Sequence, residues 1–503
     1  MAVASEAYSI LQLFKINSMK CAVIGSGIAG LASAIRLQLK GHQVEVFEAN
    51  ATPGGKISEF HHSGFRWDMG PSVFTLPYLI EELFELAKKN RADYLDYKKL
   101  DPSFRFFFEE GTVINWNSDI DTLSAELESK IGEPKPNLEK FSEDVHKKYE
   151  ITREVFIENS LHVLSNYLTK PVLSGILRLH EVGIISTMNR SNSKFFKDTR
   201  TIQLFNHFAL YVGSNPLVAP ATLNLITHLM LSLGIYIPKG GMYTLVKALV
   251  KLGEELGVQY HYNTYVEEII HSNGIVGGVK IKGVTHAFDR VVSNMDVFYT
   301  YKKLLPGVSQ PKRMLNHPKS SSVIAFFWSV AGEHPQMNIH NMLFAKDKDA
   351  EYKNVFGQST VSDDPSTYIS VTSKFNEGDA PKGKENWFVL VTAPHLNGQD
   401  WPVLVNSARE NVQSKIERML KIPIREKIEF EKVMTPLDID QNYFSAFGSI
   451  YGNSSNNRLA AFLRHPNFSR KIKGLFFAGG SVHPGAGIPM CLNSAHIMEK
   501  VFK

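Results

Sequence analysis

The sequence predicts an α/β protein: a parallel-sheet domain assembled from separated segments, with a second, mixed α+β domain between them. Three observations carry that expectation. A strand, glycine turn, helix and strand follow one another directly after Met19. A second strand and glycine turn, Leu475 to Gly480, stands near the end, and a helical pattern opening at Gly240-Gly241 lies between the two. The 503 residues suffice for two or three domains, and a hydrophobic fraction of 43% gives each a core to bury.

Taken in order, residues 1–18 are expected to be a disordered leader. Their apolar run, Tyr8 to Phe14, lacks the basic start and small-residue cleavage site of a signal peptide. Cys21 to Ile24 reads as a buried strand. Gly25-x-Gly27-x-x-Gly30 permits a tight bend, and Leu31, Ala34, Ile35 and Leu37 then recur at helical spacing up to Gly41. Val44 to Glu48 is the next strand, so the opening is a Rossmann-like βαβ unit of a parallel sheet. Tyr78 to Leu86 has an amphipathic helical pattern, and Thr122 to about His180 is largely helical. The helix after Gly241 turns Leu245, Val246, Leu249 and Val250 inward. Short strands with turns at Asn273-Gly274 and Gly277-Gly278 lead to Val291-Val292, and Ser322 to Trp328 and Trp387 to Thr392 read as buried strands. A helix near Ser494 to Phe502 completes the pattern. Residues 19–110, 236–300 and 430–503 are thus expected to form the parallel-sheet domain, and 111–235 and 301–429 the second.

Composition excludes several functions. The 55 basic and 50 acidic side chains leave a net charge of +5 with both signs scattered, which offers no face to nucleic acid. Two cysteines, Cys21 and Cys491, exclude a disulfide scaffold and a four-cysteine zinc site; no metal is expected, and a reducing, cytoplasmic compartment is. The best candidate for a membrane span, Leu223 to Ile237, is shorter than the required ~20 residues and carries Asn224, Thr227, His228 and Ser232.

The glycine turn lets backbone approach a pyrophosphate at a helix N-terminus, where free N–H groups and the helix dipole favour anions. Glu48, where the second strand ends, is placed to accept hydrogen bonds from an adenosine ribose. A second glycine pair follows soon after, in Pro53-Gly54-Gly55-Lys56, and Asp68-Met69-Gly70-Pro71 follows that. A nicotinamide dinucleotide has no need of them, whereas a flavin must be threaded along the backbone.

These motifs together resemble the flavin-containing amine oxidase and phytoene desaturase superfamily. Gly479-Gly480-Ser481-Val482-His483-Pro484-Gly485-Ala486-Gly487-Ile488-Pro489 resembles the signature of bacterial-type carotenoid desaturases. Gly448 to Gly452, Arg464-His465-Pro466-Asn467 and Val291 to Asp296 fit the same family. Gly70 to Pro77 and Asn215 to Asn224 resemble its hydroxycarotenoid 3,4-desaturase branch more than its phytoene branch. The resemblance implies FAD as cofactor. It implies a site at Gly25, Gly27, Ile28, Ala29 and Gly30; at Glu48 and Ala49; at Gly54, Gly55 and Lys56; and at Gly70, Pro71 and Ser72. Val266, Asn294, Gly480, Gly487, Ile488 and Pro489 complete it.

It further implies desaturation of a carotenoid, as 3,4-desaturation of a 1-hydroxylated acyclic or monocyclic chain. Phytoene-type desaturation, flavin-assisted carotene isomerisation and a carotenoid-binding carrier are the alternatives. A hydrocarbon has no acidic C–H and no polarised carbonyl, so hydride loss to flavin N5 must come first and proton loss second, with oxygen or a quinone as possible final acceptor. No Ser-His-Asp constellation is needed and no catalytic side chain is assigned. His483, beside the C-terminal glycines, is the one candidate for a place near the flavin, with turn stabilisation as its alternative. No Asp, Glu, Lys or Arg occurs between Arg200 and Lys239, a stretch that is either domain core or the wall of an apolar tunnel. Within it, His207 and His228 either satisfy a core hydrogen bond or recognise a substrate hydroxyl. Arg178, Arg190, Lys194, Lys197 and Arg200 precede it, either as a solvated face or as the contact of a peripheral protein with anionic lipid.

Overall fold

β1 (Lys20–Ile24) and β2 (Gln43–Phe47) are short apolar runs, and every residue of β1 after Lys20 is buried. That is the pattern of strands covered on both faces. They pair in parallel, joined by helix α1 (Ile28–Leu39). The computed structural model describes residues 18–457, 460 and 464–502; all of the expected leader except Ser18 lies outside the described residues.

Five parallel strands form the first sheet, in the order Leu475–Phe477, Arg290–Ser293, β1, β2, Gln259–His261. Strands from the beginning, middle and end of the chain are therefore neighbours. α1 packs against the helices Tyr243–Leu256 and Ile488–Val501. Leu31, Ile35, Leu245, Leu249, Leu492 and Ala495 meet in their shared core. The last helix begins at Ile488, six residues ahead of the Ser494 expected from sequence (494 − 488), with Pro489 in its first turn. Proline is compatible with that position because its missing N–H has no partner there anyway.

A second sheet of seven strands runs Ile428–Met434, Ser322–Ala331, Lys384–Ala393, Thr367–Val371, His340–Leu343, Phe104–Phe107, Val113–Trp116. Its one parallel pair is His340–Leu343 with Phe104–Phe107. One face is covered by the helices between Ile120 and Leu233, the other by the helix Trp401–Leu420. Here the sheet and the expected segment boundaries differ. Phe104–Phe107 falls within 19–110, and most of Ile428–Met434 within 430–503, yet both strands belong to the seven-stranded sheet. Ile235–Pro238 pairs with Tyr97–Leu100 in a two-stranded ribbon between the larger sheets. Such strands take their place from distant partners, which local pattern does not disclose. Among the described residues, no helix is long and apolar enough to cross a membrane.

Candidate functional site

One cavity of ≈ 630 Å³ lies where the two sheets meet. Gly25, Glu48, Asn294 and Gly479 border it, each just beyond the C-terminal end of a parallel strand. That is where open α/β sheets bind ligands. All the cofactor residues expected from the sequence line this cavity except Gly30.

Gly30 has a packing role instead. A Cβ there would fall 2.2 Å from the Gly25 carbonyl oxygen and 3.0 Å from Asn294 Oδ1. Asn294 is the node of the turn. Its backbone N–H donates to Ile24 O (2.8 Å), its Nδ2 donates to Ala478 O (2.7 Å), and a Cβ on Gly27 would stand 2.6 Å from its Oδ1. Gly54 N–H donates to Ser26 O (2.9 Å), and a Cβ on Gly70 would meet Lys56 O at 1.8 Å. Several of these glycines therefore admit protein backbone as well as ligand.

Glu48 is buried at the end of β2. Its Oε2 accepts from Ser26 N–H (2.8 Å) and Ser26 Oγ (2.7 Å), and its Oε1 from the Asn50 N–H (2.9 Å). A carboxylate offers about four acceptor positions, so capacity remains for a ribose hydroxyl. Opposite, Gly487 caps the helix Ile488–Val501 with φ +101°, and a Cβ there would enter open space. Two helix N-termini, those of α1 and of Ile488–Val501, thus border one cavity, and both favour negative charge.

Two cations, half-buried Lys56 and buried Arg464, add to that field. Lys56 Nζ donates to Ser445 Oγ and Ile450 O, both at 3.0 Å, and burial lowers its pKa although Asp296 and Cys491 oppose the shift. These bonds tie it to the segment 445–450. Arg464 donates to Gly480 O (3.4 Å) and Asn453 O (3.3 Å), and burial lowers its pKa to about 10. It lines the cavity and, among the described residues, makes no ion pair with a carboxylate. Sequence reading noted Arg464 only as part of a motif. A buried arginine in a loop of small and polar residues is the signal that marks it. Asp296 accepts from Phe298 N–H (2.8 Å), a local backbone role.

Although its neighbour Pro484 lines the cavity, His483 does not. It is fully buried, with Nε2 on the Asn159 carbonyl oxygen (2.9 Å) and its own carbonyl accepting from Asn467 and Ser494. Burial holds its pKa near 3, so it is a neutral clasp between chain segments.

The rest of the cavity wall is apolar, with Leu210, Leu223, Ile226, Met230, Phe388 and Leu390 among its side chains. The charge-free stretch is divided: Leu204, Phe205 and Phe208 are core, while Leu210, Leu223 and Ile226 line the cavity. Sequence reading missed a polar chain at this wall. Tyr368 Oη shares hydrogen bonds with Ser72 Oγ and with His340 Nδ1, both at 2.7 Å. His228 lies elsewhere, beside His146 and Tyr149.

Glycine backbone, two helix N-termini, a carboxylate at the end of the second strand and nearby cations are what an adenine dinucleotide requires, and the adjoining apolar volume suits a flavin and its substrate. The fold and the cavity are those of an FAD-dependent oxidoreductase. The model of the flavin containing amine oxidoreductases matches residues 28–497, and the chain belongs to that family, grouping within it with the carotenoid desaturases. It is 42% identical over 478 residues to a 1-hydroxycarotenoid 3,4-desaturase of Flavobacterium sp. (strain P99-3), covering 95% of this chain and 98% of that one. It is 32% identical to a 4,4'-diapophytoene desaturase of Staphylococcus haemolyticus, over 95% and 97% of the two chains. Among solved structures, a fatty acid isomerase from P. acnes superposes with TM-score 0.63 at 14% identity over 96% and 99% of the chains, a likeness of fold alone.

Proposed function

We propose that the protein desaturates a carotenoid, introducing the 3,4 double bond of a 1-hydroxylated acyclic end. The observation that carries this reading is one cavity that joins a dinucleotide-binding turn to a wall of Leu210, Leu223, Ile226, Met230 and Phe388. Bound FAD supplies the acceptor for the hydride that an allylic carbon loses. The chain's residues do the remainder. The Gly25–Gly30 turn and Glu48 hold the adenosine end. The apolar wall takes up the polyene and excludes water, and the field of Arg464 and the two helix N-termini favours added negative charge. The carbon next to the resulting cation is so acidic that a weak base suffices, and the neutral Ser72–Tyr368–His340 chain is at hand at the wall.

We infer that the chain meets its substrate at a membrane surface. Leu164, Leu168, Leu177 and Ile185 are 84%, 85%, 72% and 78% exposed, and Leu179, Val182 and Ile184 of the same segment line the cavity. Exposed apolar side chains in such a cluster favour an apolar partner. Arg178 and Arg200 are ion-paired with Glu181 and Asp198, which leaves Arg190, Lys194 and Lys197 of the expected basic set at the surface. The apolar side chains are therefore the main contact and the basic ones an addition.

The test is anaerobic incubation of the yellow holoprotein with a hydroxylated acyclic carotenoid in micelles. Bleaching of the flavin and a product lighter by two hydrogens are expected, with colour restored by oxygen or a quinone. An unchanged product mass means isomerisation, and pigment bound without bleaching means a carrier; either result ends the desaturase reading.

A further inference from the structure

His207 opens the short helix His207–Val212 and lines the cavity. It is 4% exposed, set edge-on against the rings of Tyr211 at 5.7 Å and Phe344 at 5.5 Å, and its Nδ1 has no hydrogen-bond partner. Buried polar atoms are rarely left so, because nothing replaces the water they have lost. Burial, with Lys348 nearby, keeps its pKa well below the ordinary histidine value, so the ring is neutral and carries one donor and one acceptor nitrogen.

A hydroxyl, which both gives and takes a hydrogen bond, matches such a ring; an anion does not match a neutral one, and a hydrocarbon end offers it nothing. The nearby walls, Leu210, Leu223 and Met342, match the hydrocarbon body of the same ligand. The other histidines differ. His340 already engages Tyr368 and does not line the cavity, and His228 lies outside it.

We propose that His207 determines specificity by hydrogen-bonding a hydroxyl carried by an otherwise hydrocarbon polyene. This rests on the reading of the cavity as a polyene site. A site with a buried polar group discriminates strongly against an analogue lacking the matching group, because that group is then left unpaired.

Binding, not turnover, is the direct readout. The FAD-loaded protein is held reduced with dithionite, and the absorbance shift of two acyclic carotenoids of equal length is titrated, one with a terminal tertiary hydroxyl and one without. Bound FAD in each variant reports folding. The wild type is expected to prefer the hydroxylated chain about tenfold or more, with a preference flat from pH 6 to 8. In His207→Phe the hydroxylated chain should bind about tenfold more weakly and the hydrocarbon more tightly, since an unpaired imidazole is removed. His207→Gln, which keeps a donor and an acceptor, should retain the preference. A preference that survives in His207→Phe, or equal weakening of both chains there, overturns the proposal. Wild type that binds both chains equally overturns hydroxyl selection alone, whereas wild type that binds neither ends the polyene reading and this inference with it.

Discussion

Asn294 joins three parts of the chain through one side chain and one backbone N–H, and the glycines around it are fixed by that contact. Gly30→Ala places a methyl group 2.2 Å from the Gly25 carbonyl, where only backbone can yield. We expect a loss of at least about 2 kcal/mol, in line with overpacked cores, and protein isolated without flavin colour. Glu48→Gln keeps the size but puts an amide N–H₂ or a weaker acceptor before the Ser26 and Asn50 N–H groups. It should cost about 1–3 kcal/mol and raise the dissociation constant for FAD at least tenfold, measured by flavin fluorescence on titration. An unchanged constant would show that Glu48 serves the turn only. At this scale the sequence was most legible where a residue type has a single use, as in the glycine turn. It was least legible for Lys56 and His483, whose partners Ser445 and Asn159 lie hundreds of positions away, and for Arg464, which binds the carbonyls of Gly480 and Asn453 in irregular loops that no periodic pattern marks.

Among elements, the segment from Leu164 to Ile185 is the one with most exposed apolar side chains. Fully burying one leucine contributes about 1.5–3 kcal/mol. The double substitution Leu164→Ser, Leu168→Ser should therefore reduce co-sedimentation with phospholipid vesicles tenfold or more while leaving the melting temperature unchanged, because both side chains already face outward. Undiminished sedimentation would remove this segment from the membrane contact. The strands and helices built on local pattern, β1, α1, β2 and Tyr78–Leu86, stand where the sequence puts them. Phe104–Phe107 was not singled out in the sequence, since its partners are His340–Leu343 and Val113–Trp116 and one of them comes from far along the chain. The early start of Ile488–Val501 was hidden because Gly487 and Pro489, read locally, signal a turn rather than a helix cap and first turn.

For the whole molecule, acid is the expected weakness. His340 and His483 are held near pKa 3 and His465 near 4, all by burial. Unfolded, each takes a proton below about 6.5; folded, it does so only at 3 to 4. Between pH 6.5 and 4 the unfolded state therefore binds more protons, and stability falls as pH falls, by up to about 1.4 kcal/mol per pH unit for each histidine. Asp68 and Asp296, raised by burial, work in the opposite direction. Calorimetry across this window should show the melting temperature dropping with acid, and a flat profile would mean these rings are reached by water.

The parallel sheet carries Leu475–Phe477 beside Arg290–Ser293, which in turn pairs with β1. During synthesis the first strand thus leaves the ribosome long before the neighbour of its neighbour exists. The vitamin-derived pigment has no finished berth until Leu475–Phe477 has been made, so a nascent chain halted before Leu475 should emerge colourless however long it waits.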